Sequence, residues 1–230
     1  MKIKLPERLL SVASMILPGK AAADIGTDHG YLPVHLVVEG ICPFVIATDR
    51  ARSPLESARQ LVELLSLTKT IDIRFGEGLE ILEPGEVATI CMAGVGGATI
   101  RSVLSDSPLV LDKTERLVLQ PQRGAVGLRR WLADNGFTIV AEDLVMEDGF
   151  YYEIIGVEHG HMVLDESQTE FGPLLLANRH PLLKDYLELK KADLTRLIDG
   201  LSQNRTKECQ ERLAQLSYGV QRIERALKCL

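Results

Sequence analysis

Two carboxylates set in glycine-rich company give this chain its first chemical signal. Asp24 stands in Ala23-Asp24-Ile25-Gly26-Thr27-Asp28-His29-Gly30-Tyr31-Leu32-Pro33, and Asp49 closes a second apolar run, Pro43 to Asp49. Around Asp24, an apolar segment (Ala21 to Ile25) feeds a glycine turn, after which Leu32, Leu36 and Val37 return at helical spacing. Strand, loop and helix in that order form a nucleotide-binding junction, since glycine admits a ligand to the backbone and the first helical N–H groups lack intrahelical partners. A dinucleotide fingerprint begun at Gly26 needs glycine at position 28, where Asp28 stands. A carboxylate there repels a pyrophosphate. It suits S-adenosylmethionine (SAM), which has no phosphate and carries an ammonium and a sulfonium. Asp24, Gly26, Thr27, Asp28 and Gly30 are therefore expected on the cofactor, with Asp49 and its neighbour Arg50 at the ribose.

Further elements must bring more groups to the same edge. Residues 6–17 read as an amphipathic helix closed by Pro18-Gly19, with Arg8 near its start a candidate for the site mouth. Ser53-Pro54-Leu55-Glu56 reads as an N-cap and capping box for the helix after Asp49. Ile71 to Phe75 is a strand, and the Gly76-Glu77-Gly78 loop after it offers an acceptor to an adenine edge. Val87 to Met92 is another strand. Its glycine turn, Ala93-Gly94-Val95-Gly96-Gly97, either permits close packing or, through Met92, Ala93 and Gly94, floors the space beside the reactive methyl. After the strand Arg116 to Gln120, the side chains Gln120, Gln122 and Arg123 are expected at the same edge, where amides can read a base.

Thr138 to Met146 and Phe150 to Val157 flank Glu147-Asp148-Gly149, a hairpin signal that makes the last two strands antiparallel. That ending departs from the all-parallel dehydrogenase sheet. It resembles the class I SAM-dependent methyltransferases, whose seventh strand is antiparallel. The expected fold is accordingly an α/β Rossmann-like seven-stranded sheet with a C-terminal helical coiled-coil hairpin. The domains expected are a catalytic domain at 1–161, a connector at 162–180 and the hairpin at 181–230. In the hairpin, Leu183, Leu187, Leu194, Leu197 and Leu201 form one seam, and Cys209, Leu213, Leu216, Val220, Ile223, Leu227 and Leu230 the other, with a turn around Gly200 to Asn204.

Composition bounds the reading. The 230 residues are 46% hydrophobic and 25% charged, with a net charge of −6. Charge is unevenly spread: residues 178–230 carry eleven Lys/Arg and seven Asp/Glu, against fifteen and twenty-five in the remainder. A basic tail on an acidic body suggests either contact with a polyanion or a solvated helix surface rich in Lys and Arg, its cations being Lys184, Lys191, Arg196, Arg205, Lys207, Arg212, Arg222 and Arg225. The four cysteines lack metal-ligand or redox spacing, and His159-Gly160-His161 has no third ligand at matching spacing, so no metal is expected. With no leader segment and no membrane-length apolar run, a cytoplasmic protein is expected, a monomer in preference to an oligomer.

The Asp24-to-Pro33 motif, Cys91-Met92-Ala93-Gly94-Val95-Gly96-Gly97, Leu119-Gln120-Pro121-Gln122 and the helical tail together resemble the bacterial tRNA methyltransferases that act on N1 of adenine 22 in the D-loop (TrmK-like). The resemblance covers nearly the whole chain. It departs at Gln122, where the family pattern has Asn, and at Glu77, where many methyltransferases have Asp. It implies methyl transfer from SAM to tRNA, with Asp28, His29 and Tyr31 as catalytic candidates: Asp28 to stabilise the cationic product ring, the two rings to stack on a flipped base. It also implies RNA contacts by Arg8, Gln120, Gln122, Arg123, Lys207, Arg212, Arg222 and Arg225. Alternatives are a SAM enzyme for a protein or small molecule, and a non-catalytic coiled-coil adaptor.

Overall fold

A computed structural model describes residues 4–201 and 206–230. The chain forms two compact units, Met1–Val163 and Leu164–Leu230.

In the first unit, short runs of β-branched and small apolar residues form strands β1 (Ala22–Ile25), β2 (Val45–Asp49), β3 (Ile71–Phe75), β4 (Thr89–Val95) and β5 (Arg116–Pro121), completed by β6 (Phe137–Glu147) and β7 (Phe150–His159). Their order is β3-β2-β1-β4-β5-β7-β6, with β1 to β5 parallel and β7 antiparallel to both neighbours. The near-continuous burial of β1, β2 and β4 is what a sheet covered on both faces requires. The covering helices are α1 (Glu7–Ser14), α2 (Tyr31–Val38), α3 (Arg52–Leu64), α4 (Gly97–Ser105), α5 (Pro108–Asp112) and α6 (Ala125–Asp134). Fully buried Ile46, Ile90, Leu117, Leu119 and Leu128 lie in this core, each worth roughly 1.5–3 kcal/mol of burial. Because β2 and β4 flank β1 on opposite sides, the connections from β1 and β4 diverge and leave a crevice beyond the strands' carboxyl ends.

The expected elements are present, with shifted ends. The α3 N-cap is Ala51, not Ser53, and no side chain caps it. Asp49 explains the shift: its Oδ1 accepts the Ala51 N–H at 2.8 Å, so the helix starts directly after the strand. Pro54 still falls in the first turn, where an N–H is dispensable. The β6–β7 turn has Asp148 and Gly149 at φ 51° and 81°, the two left-handed residues of a tight hairpin. That hairpin is fastened by a buried triad absent from the sequence reading: Arg129 of α6 donates to Glu142 at 2.8 Å and Glu153 at 2.6 Å.

The second unit contains α7 (Glu166–Phe171), α8 (Pro173–Ala177), α9 (Leu183–Leu201) and α10 (Lys207–Cys229). Much of the expected connector is thus helical, and α7 has a full capping box between Asp165 and Gln168. Lys191 pairs with Glu224, Leu194 packs at Gly219, and the Cys209 thiol donates to the Leu201 carbonyl, so α9 and α10 run antiparallel. Lys190, the polar residue on the seam, lies 4.3 Å from the Tyr186 ring centroid, a cation–π contact that accommodates its charge. Leu197 is 52% exposed, and Ile198 is half-buried where the sequence predicts Leu197. Most of the expected inter-helix turn, with Arg205, and the side chain of Lys207 lie outside the described residues.

Candidate active site

The crevice has two lobes, of about 280 Å³ and 320 Å³, which together fall within the ~300–1,000 Å³ typical of small-molecule sites. They share Gly26, Ala93 and Gly94. Thr48, Asp49, Arg50, Gly76, Glu77 and Gly78 line the first lobe, with Met92, Thr99 and Val103 as an apolar side. Arg8, Asp24, Thr27, Asp28, His29, Tyr31 and Gln122 line the second. Most of the residues singled out by type and spacing are thereby gathered at one sheet edge.

Local geometry explains how. Gly26 (φ 81°) and Thr27 both donate their N–H groups to the Thr48 carbonyl at 2.8 Å, bending the chain across the end of β2. Asp28 is left-handed at φ 55°, a conformation Asp tolerates, and its N–H donates to Asp49 Oδ2 at 3.1 Å. Asp49 therefore fixes the starts of two loops with one carboxylate. With roughly four lone-pair sites in all, it keeps acceptor capacity for a ligand.

Asp24 is 4% exposed, with no cation within ion-pair distance among the described residues. Burial pushes its carboxyl up to about 6, and the charge on Asp49 adds to this, while Thr27 and Cys91 pull the other way. A buried carboxylate that stays charged at neutral pH without a cation beside a cavity is electrostatically incomplete, and a cationic ligand completes it.

The Gly-rich turn after β4 divides its labour. Gly94 (φ 79°) sits at a register shift of β4 against β5 and faces both lobes. Gly97 serves packing: a β-carbon there would lie 2.7 Å from the Gly124 carbonyl.

Two expectations need correction, and two further residues have partners that spacing does not reveal. Gly30 lines neither lobe; it caps α2 at φ 74°, where a β-carbon would come within 3.0 Å of Ala58 Cβ, so it is required by helix packing. Gln120 is fully buried and cannot read a base at the surface. Its Oε1 accepts from Arg8 Nη1 at 2.8 Å and from the Gly94 N–H at 3.0 Å, which makes it a brace between α1 and the β4 turn. Glu77 is not free, since it pairs with Arg50 at 2.9 Å across the rim of the first lobe. Both partners are more than 70% exposed, and such pairs contribute only ~0–1 kcal/mol, so a ligand can displace this one. Arg222 is held within the helical unit by Glu166 at 2.8 Å and Glu170 at 3.0 Å.

Arg8 does reach the site. It lines the second lobe, approaches Glu147 at 3.8 Å and lies 5.3 Å from the Tyr152 ring centroid. His29 and Tyr31 stand with ring centroids 5.8 Å apart on the rim of that lobe, and Asp28 lies 3.6 Å from the His29 ring. Arg123 follows Gln122 just beyond the lobe, while Arg212 and Arg225 are exposed in the second unit. Thr99 and Val103 escaped the sequence reading. Their one-turn spacing after the glycine turn is the available signal, and Val103, one residue before the buried Leu104 on α4, is not distinguished from a core residue by type alone.

Comparison with known proteins supplies a second line of evidence. Residues 22–225 match the family model of the TrmK tRNA (adenine(22)-N(1))-methyltransferases. The chain is 39% identical to the tRNA (adenine(22)-N(1))-methyltransferase of Bacillus subtilis over 159 residues, 69% of this chain and 67% of that one. A Streptococcus pneumoniae protein solved in complex with S-adenosyl-L-methionine superposes with a TM-score of 0.90 at 34% identity, over 97% of this chain and 100% of the other. The Mycoplasma capricolum TrmK complex with S-adenosyl-homocysteine does so at 0.85 and 27%, over 98% of each chain.

Proposed function

The chain belongs to the tRNA (adenine(22)-N(1))-methyltransferase family, and on that premise we propose how its crevice performs the reaction: transfer of a methyl group from SAM to N1 of adenine 22 in the tRNA D-loop. The observation that carries the assignment of lobes is Asp24, a buried carboxylate without a cation among the described residues, on the wall of the second lobe two residues before Gly26, which lines both lobes.

The residues fit SAM by the chemistry of their donors. Asp24 takes the ammonium, the Asp49 carboxylate accepts ribose hydroxyls, and Thr27 and Gly26 offer the backbone between them. Met92 and Val103 would flank the adenine with apolar surface, and the displaceable Arg50–Glu77 pair stands at the rim, where Glu77 would offer its acceptor. When bound, the cofactor supplies an electrophilic methyl group on a sulfonium.

The rest of the second lobe, beyond Asp24 and Thr27, then receives the target base. Adenine N1 has an in-plane lone pair, so no residue has to deprotonate the nucleophile, and the work left to the protein is alignment and stabilisation of developing positive charge. Asp28 opposes that charge. His29 and Tyr31 stack on the extruded base, Gln122 hydrogen-bonds its edge, and Arg8, braced by Gln120, fixes the wall opposite. The tRNA partner and the absence of a described helix long and apolar enough to cross a membrane support a cytoplasmic enzyme.

The test is transfer of labelled methyl from SAM to an unmodified tRNA transcript, followed by nucleoside mapping. Label is expected as N1-methyladenosine at position 22, and it should be lost when that adenine is replaced. Label that survives ribonuclease treatment would sink the tRNA assignment.

A further inference from the structure

Most arginines of the first unit are neutralised locally. Arg8, Arg50, Arg59, Arg74, Arg116 and Arg129 each lie within 4 Å of a carboxylate, and Arg52 lies over the Phe75 ring. Among the described residues, Arg101, Arg123 and Arg130 have neither arrangement, although residues 1–177 carry an excess of acid. The acids nearest to them in sequence are Asp106 for Arg101, Glu115 for Arg123 and Asp134 for Arg130; Glu115 is taken by Lys20, and the other two form no ion pair with these arginines among the described residues.

These three arginines share one strip of surface. The Gly97 N–H donates to the Arg123 carbonyl at 2.8 Å, which brings the starts of α4 and α6 together. One turn on, Arg101 lies across Gly127, its Cζ 3.7 Å from where a β-carbon would stand. Arg130 follows Gly127 by three residues on the same helix face. Arg101 Nε is buried without a hydrogen-bond acceptor, a donor that the protein itself leaves unmet. At its upper end the strip meets Gln122, which lines the lobe assigned to the target base.

We propose that Arg101, Arg123 and Arg130 form a track for the phosphate backbone of the tRNA strand that delivers its base past Gln122. The inference rests on the tRNA methyltransferase reading and adds the path by which the substrate is held. Unpaired guanidinium groups in a line match a strand with one anion per nucleotide, and their planar donors suit phosphate oxygens. Contacts of this kind fix register and carry no sequence information.

The experiment measures tRNA affinity against salt concentration for the full chain, comparing wild type with R101Q/R123Q/R130Q, the corresponding triple Lys variant and Arg59→Gln. Each lost phosphate contact removes roughly 0.7–0.9 from the slope of log K against log salt. The Gln triple should bind tRNA on the order of ten-fold or more weakly at low salt, with a slope shallower by about two to three and an unchanged Kd for SAM. The Lys triple should keep the slope, and Arg59→Gln should match wild type. If wild type methylates tRNA and the Gln triple binds it with unchanged affinity and slope, the track is wrong and the enzyme assignment stands. If wild type neither binds nor methylates tRNA, both fall together.

Discussion

At the crevice, the two carboxylates closest to the strand ends have no cation partner among the described residues: Asp24 is buried with only Thr27 and Cys91 to favour its charge, and Asp49 receives backbone N–H groups. In the helical unit, carboxylates are closed by cations, with Glu166 and Glu170 on Arg222 and Glu224 on Lys191. The two regions have similar raw materials and opposite local balance. An acid left unbalanced in a cavity costs stability that only a ligand returns, whereas a closed pair contributes to the unit that makes it. Formal charge along the chain does not distinguish the two. The basic tail drew attention in sequence, yet Arg222 is already occupied, while three arginines in the acidic half are free.

The sharpest way to break this comparison is Asp24→Asn. With its pKa near 6 in the fold and 3.8 as the ordinary value, Asp24 binds a proton more tightly folded than unfolded. Stability therefore falls as pH rises from about 4 to about 6 and stays reduced above, by up to about 3 kcal/mol at neutral pH. Removing the charge should raise the melting temperature of the ligand-free protein at pH 7 and weaken SAM binding on the order of 100-fold. Wild-type SAM affinity should fall about ten-fold per pH unit below 6 as the carboxylate protonates. Calorimetric titration and thermal melts check both halves. An Asn variant that binds SAM within a few-fold of wild type, or that is less stable without it, would remove Asp24 from the cofactor account.

Arg222→Gln should do the reverse. Glu170 is half-buried, and burial already pushes its carboxyl up against the pull of Arg222. Losing that cation should destabilise the helical unit by about 1–2 kcal/mol, visible as faster amide hydrogen exchange along α10, while the salt dependence of tRNA binding stays unchanged. Arg212→Gln and Arg225→Gln, at exposed positions without a carboxylate partner among the described residues, should leave exchange unchanged. If these two flatten the salt dependence of tRNA binding, the tail joins the RNA interface through them and not through Arg222.

What the sequence made legible follows a physical pattern. Strand ends, glycine turns and the β6–β7 hairpin are local features, and Asp24, Gly26, Asp49 and Gly94 were found because their types and spacing are themselves the signal. Gly30 was misread because φ and packing demand glycine as insistently as ligands do, and only the Ala58 contact tells which. Gln120 and Arg129 depend on partners far along the chain, so their burial could not be anticipated from neighbours. The partners of Arg222 are hidden for the same reason: Glu166 and Glu170 lie more than fifty residues upstream.

The smallest expected effect tests how the helical seam is read. A strict heptad pattern assigns Leu197 to the contact line, yet Leu197 is 52% exposed and Ile198 is half-buried instead. A straight helix at 3.6 residues per turn drifts by roughly 20° per heptad from a 3.5-residue repeat, enough over α9 to carry the seam from one position to the next. Leu197→Gln should therefore change stability by less than about 0.5 kcal/mol, as a surface substitution does. Leu216→Ala, at a position only 5% exposed, should cost about 2–5 kcal/mol. Hydrogen exchange of the α9 and α10 amides distinguishes them, and a Leu197→Gln cost approaching that of Leu216→Ala would restore the strict heptad and move Ile198 off the seam.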